Sequence, residues 1–160
     1  MVSESNGSAD EHDMTLSPES GALLRFDWQA TALFSVTAVL GVVSDGSLRV
    51  VSVLVALVLF AIGCLVFLMA FAEALRRSRY DAIGIGGLYF LAGTAPQKVR
   101  RSFRLALLVQ VVVAFVTASI RIYSGLAFGL LVPMLGLGLM GLWGARYGNF
   151  GPRVDPDATT

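Results

Sequence analysis

Cysteine, histidine and charge are all scarce in this 160-residue chain, which has one cysteine, one histidine and 14% charged residues. The lone Cys64 excludes a disulfide framework, a CxxC redox pair and a cysteine-based zinc site within one chain. The lone His12 lies in an acidic polar segment with no second histidine, which argues against a His-centred triad or metal centre. Soluble domains carry about 25% charged and 45–50% apolar residues, whereas 56% of this chain is hydrophobic. The shortage of charge excludes a disordered regulator, a coiled-coil rod and an ordinary soluble enzyme. A multispanning membrane protein remains.

The first 24 residues hold five acids (Glu4, Asp10, Glu11, Asp13, Glu19) and no base. Residues 1–22 are rich in Ser, Glu, Asp and Gly, and such a stretch buries too little apolar surface to offset chain entropy, so a disordered tail is expected. It has no basic start followed by an early apolar core, so it does not read as a signal peptide.

Uncharged runs define the rest: 17 residues from Trp28 to Ser44, 23 from Val50 to Ala72, 16 from Leu105 to Ile120 and 24 from Ile122 to Ala145. A bilayer core about 30 Å thick takes roughly 20 helical residues. The runs are apolar on all sides, and alternating ten-residue barrel segments are not apparent. The expectation is an all-α bundle of four transmembrane helices over about 26–44, 50–73, 104–122 and 125–145, with a short tail at 148–160. Trp28, Tyr123, Trp143 and Tyr147 fall near run ends, where aromatic rings favour the headgroup level. Asp27 and Arg121 also read as terminal to their runs.

With four spans, both tails and the central loop share one side and hold ten of the twelve bases. The positive-inside rule then puts both termini in the cytoplasm of a plasma-membrane protein. The basic loop, 76–104, carries Arg76, Arg77, Arg79, Lys98, Arg100, Arg101 and Arg104 against a single acid, Asp81. Between its two basic clusters, residues 82–95 (AIGIGGLYFLAGTA) are uncharged and too short to span, which suits an interfacial or re-entrant segment. The seven bases are candidate sites for anionic lipid headgroups or a protein partner, unless they only set topology. Nucleic acid is not an expected partner.

GLGLMG (Gly136, Gly138, Gly141) matches G-x-G-x-x-G, but a dinucleotide site needs a strand before it, and here the glycines lie within an apolar run. Gly138, Gly141, Gly144 and Gly148 instead form a small-residue face for close helix packing, within one chain or between copies. Pro133 sits mid-span and predicts a kink. Glu73 precedes Arg76 and Arg77 by three and four residues, the spacing of an ion pair on one helix face. Gln110 is polar within the third run and reads first as an interhelical hydrogen-bonding residue. Glu73, Gln110 and Pro133 are also the residues a transport role would draw on. No catalytic residue, metal-ligand set or cofactor motif is expected.

The segments GTAPQKVRR (Gly93 to Arg101) and GLWGARYGNFGPR (Gly141 to Arg153) resemble those of small four-helix membrane proteins of actinobacteria, over roughly residues 26–153. That resemblance implies a plasma-membrane location and assigns no catalytic or binding residue. The expected function is therefore an accessory or structural membrane component, with a small oligomeric transporter or channel as the alternative.

Overall fold

The computed structural model describes residues 18–44, 46–120 and 125–151. The expectations for His12, most of the acidic tail, Arg121, Tyr123 and Arg153 lie outside the described residues. The described chain is all-helical: α1 (Pro18–Val43), α2 (Ser47–Arg77), the one-turn α3 (Ile85–Tyr89), α4 (Gln97–Ile120), a 3-10 segment (Gly125–Leu131) and α5 (Pro133–Tyr147). Four stretches are long and apolar enough to cross a membrane: α1, α2, α4, and the 3-10 segment together with α5. This is a multi-pass membrane architecture.

Its core is the fourth span. Ten consecutive or near-consecutive residues of α5, from Leu135 to Ala145, are buried, while α2 turns residues such as Leu54, Leu65, Leu68 and Phe71 outward. Lipid removes the hydrophobic drive between helices, so close backbone approach has to hold the bundle. Glycine supplies it. A Cβ on Gly63 of α2 would stand 2.6 Å from the Leu135 nitrogen, and one on Gly138 would stand 2.9 Å from the Gly63 carbonyl oxygen. The two helices therefore meet backbone to backbone.

Several boundaries differ from the sequence reading. Helix α1 begins at Pro18, inside the segment read as a disordered tail, because Pro suits a first helical turn and Ser20 is buried. Six of the seven loop bases are helical: Arg76 and Arg77 end α2, and Lys98, Arg100, Arg101 and Arg104 lie in the first turns of α4. Only Arg79 belongs to the connection itself. Pro133 does not kink a continuous helix; it is at the start of α5, after the 3-10 segment, where its missing N–H costs nothing. Trp143 is 3% exposed and packs in the core of the bundle.

The segment read as interfacial or re-entrant folds back onto α5. Leu88, Tyr89 and Leu91 are buried, and the Tyr89 ring stacks on Phe67 of α2 at 4.7 Å. Gly141 makes the room, since a Cβ there would come 2.5 Å from Tyr89 Cε1. Leu91 is held at φ 53, a left-handed conformation costly for a side-chain residue, and its complete burial holds it there. The Tyr89 hydroxyl is buried with no hydrogen-bond partner among the described residues. Tyr89→Phe is therefore expected to leave thermal stability unchanged or raise it slightly, while Tyr89→Ala should cost about 3 kcal/mol. Burial also pushes the Tyr89 phenol above its ordinary value. The native state then binds this proton more tightly than the unfolded chain, so the phenol's contribution is intact below about pH 10 and falls as pH rises above it.

Candidate functional site

Two polar features stand out against the apolar bundle. The first is a buried node at the junction of α1, α4 and α5. Residues Ser20, Asp27, Ala30, Thr31, Phe34, Ala38 and Gly41 form the buried stripe of α1, at spacings of three, four and seven. The matching stripe of α4 is Val99, Phe103, Ala106, Gln110, Ala114 and Thr117. Asp27 and Gln110 thus sit at core positions by helical register, and each is 0% exposed. Gln110 Nε2 donates to Asp27 Oδ1 at 3.2 Å and to Thr31 Oγ1 at 2.7 Å. The Thr31 hydroxyl in turn donates to the Asp27 carbonyl at 2.7 Å. Helix α5 contributes an absence: a Cβ on Gly136 would approach Gln110 Oε1 to 2.8 Å, so glycine leaves the amide room in its observed position.

Asp27 is therefore interior, contrary to its reading as a terminal residue. The uncharged run began after it and so concealed that α1 starts three turns earlier. Gln110 does what the sequence suggested for it, bonding between helices, but its partner was not foreseen.

The second feature is the basic end. Arg76, Arg79, Lys98, Arg101 and Arg104 are exposed and Arg100 is half-buried. Two of the seven bases are committed to the fold. Arg77 donates to Asp81 Oδ2 at 2.8 and 3.1 Å, to the Ala145 carbonyl at 2.9 Å and to the Gly148 carbonyl at 3.3 Å. It also lies over the Phe150 ring, 5.4 Å from the centroid. Arg77 thus caps the carbonyl end of α5, where a cation is favoured by both hydrogen bonding and the helix dipole. Arg104 donates to the Phe90 carbonyl at 3.0 Å and tethers the connection to α4. Glu73 pairs with Arg76 at 3.5 Å, with the arginine side chain 81% exposed, so the ion pair is a weak surface one. Arg77, the other expected partner of Glu73, goes to Asp81 instead.

The expected glycine face is internal to the chain. Gly138 meets α2, Gly141 meets the Tyr89 ring, and Gly144 meets the Leu88 carbonyl. Gly148 faces the Gly144 carbonyl and the Phe150 ring at the end of α5. Because α2 and the α3 segment already fill this face, the glycines do not leave an open groove for a second copy. The GLGLMG segment lies within a helix and follows a 3-10 turn and not a strand. Among the described residues, no group of three or more His, Cys, Asp or Glu is placed to hold a metal ion. Comparison with family models, curated proteins and solved structures returned no match.

Proposed function

We propose that this chain is an accessory component of the plasma membrane, with both termini in the cytoplasm, whose basic end engages anionic lipid headgroups. The observation that carries this reading is the composition of that end. Arg76, Arg79, Lys98, Arg100 and Arg101 are not used in holding the connection to α5, and three apolar side chains project among them. Tyr80 is 79% exposed, Ile85 76% and Phe90 49%. Exposed aromatic and branched side chains amid arginines match the headgroup–acyl boundary, where rings settle and guanidinium groups meet phosphate. Each base near an anionic surface contributes on the order of 1 kcal/mol.

Replacing Arg76, Arg79, Lys98, Arg100 and Arg101 with Gln tests the reading, leaving Arg77 and Arg104 intact because they hold the fold. Native mass spectrometry of the purified protein in a mixture of anionic and zwitterionic lipid is expected to show anionic occupancy falling at least about tenfold. Zwitterionic occupancy should not change. Equal anionic occupancy in the two proteins would remove the proposal.

The alternative, a small oligomeric transporter or channel, draws less support. Of the residues behind it, Glu73 lies near the end of α2, Pro133 starts a helix, and only Gln110 faces a buried polar partner. A solute flux in proteoliposomes that disappears with Gln110→Leu would favour it over the accessory role.

A further inference from the structure

The buried node takes no part in the basic end. Asp27 is the tenth residue of α1, about 14 Å along the helix from Pro18, and it is 0% exposed. Its two oxygens are not equivalent. Oδ1 accepts from Gln110, whereas Oδ2 is buried with no hydrogen-bond partner among the described residues. Gln110 Oε1 is likewise buried and unpartnered, held against Gly136.

The charged groups on the surrounding elements are turned elsewhere. Arg25, two residues from Asp27, is exposed on another face of α1. On α4, Arg104 is exposed and donates to the Phe90 carbonyl. At the end of α5, the Tyr147 hydroxyl donates to Glu19 Oε2 at 3.2 Å. Among the described residues no cation pairs with the Asp27 carboxylate, whose hydrogen-bond donor is the neutral Gln110 amide. A buried carboxylate normally has a cation or several donors, and this one has neither.

We propose that Asp27 is a reversible proton-binding site within the membrane bundle: Oδ2 takes the proton, and Gln110, fixed by Thr31 and the Gly136 seat, holds Oδ1. One proton is taken up from water, one O–H bond forms at Oδ2, and the net charge of the bundle rises by one. Nothing is oxidised or reduced. A proton suits the site better than a metal cation, because a cation needs a shell of about six oxygens and, among the described residues, only Asp27 Oδ2 and Gln110 Oε1 stand unpartnered here. Gln110 is a positioning residue. The proposal does not rest on the lipid-binding role, and its failure would leave that role untouched.

The test is infrared spectroscopy of the full chain in lipid nanodiscs, with aspartate carboxyls labelled with carbon-13 to separate them from glutamate. At neutral pH the wild-type protein should show the carbonyl stretch of one protonated aspartate. Asp27→Asn should remove that band, and Gln110→Leu should move the pH at which it disappears by about one unit. If either variant fails to fold, the labelled wild-type protein still decides, since the band must be present and exchange slowly in heavy water. Absence of any protonated aspartate at neutral pH would overturn the proposal. So would loss of the band on adding sodium at constant pH, which would assign the site to a metal cation.

Discussion

Gly63→Ala is expected to lower the stability of the bundle by about 3 kcal/mol. The added carbon would meet consecutive backbone atoms of α5: the Leu135 nitrogen at 2.6 Å, its Cα at 2.8 Å and the Met134 carbonyl carbon at 2.9 Å. A flexible side chain could turn away, but two helix backbones can only move apart. The gain in helix propensity, about 1 kcal/mol for alanine over glycine, does not offset that separation. Gly138→Ala probes the same contact from the other helix, where the added carbon meets Gly63 oxygen at 2.9 Å and Phe67 nitrogen at 3.0 Å. Gly21→Ala is the control, because no atom lies within 4 Å of a Cβ there; it should be neutral or slightly stabilising. Equilibrium unfolding in mixed micelles distinguishes these outcomes. Equal stability of all three variants would show that α2 and α5 do not meet at these glycines.

The second large effect belongs to Arg77. Arg77→Gln should cost about 2 kcal/mol, a figure kept modest because the Arg77 side chain is 30% exposed and its ion pair is partly screened. The loss should be local before it is global. Arg77 joins α2 to the carbonyls of Ala145 and Gly148, and two backbone bonds complete the same layer: Asn149 N–H to the Thr94 carbonyl at 3.0 Å and Ala82 N–H to the Gly151 carbonyl at 3.0 Å. Amide exchange at Ala82 and Asn149 should therefore accelerate in the variant while the middle of α5 stays protected. Arg77→Lys should recover only part of the loss, since an ammonium cannot reproduce the planar fork that serves a carboxylate and two carbonyls together. Arg79→Gln, at an exposed position, should change neither reading.

The four spans were legible because length and lack of charge are the membrane's own requirements, and both can be read along the chain. The glycines were legible as packing residues for the same reason: small residues replace the hydrophobic drive where lipid surrounds the helices. Their partners were not legible, because i, i+3 and i+4 spacings describe one helix and say nothing of the neighbour. Gly138, Gly141 and Gly144 read as one groove without an occupant, and α2, Tyr89 and the Leu88 carbonyl fill it in turn. Asp27 was missed because a charge was taken as a boundary. A sharper signal was present, since Asp27 shares the seven-residue spacing that joins Ser20 to Phe34 on the buried stripe. Arg77 and Arg79 are near neighbours of the same type, and only the fold separates a helix cap from an exposed cation.

In this bundle the fourth span is enclosed by the other three, and their outer faces meet lipid. Nitroxide labels on single cysteines test this most directly, placed in a Cys64→Ser background and reconstituted in bilayers. Labels at Leu65 and Phe115, which are 63% and 61% exposed, should be readily accessible to dissolved oxygen and poorly accessible to a polar nickel reagent. A label at Leu139, 1% exposed, should be shielded from both. Oxygen accessibility at Leu139 equal to that at Leu65, or nickel accessibility at Leu65 matching that of an aqueous loop, would contradict it.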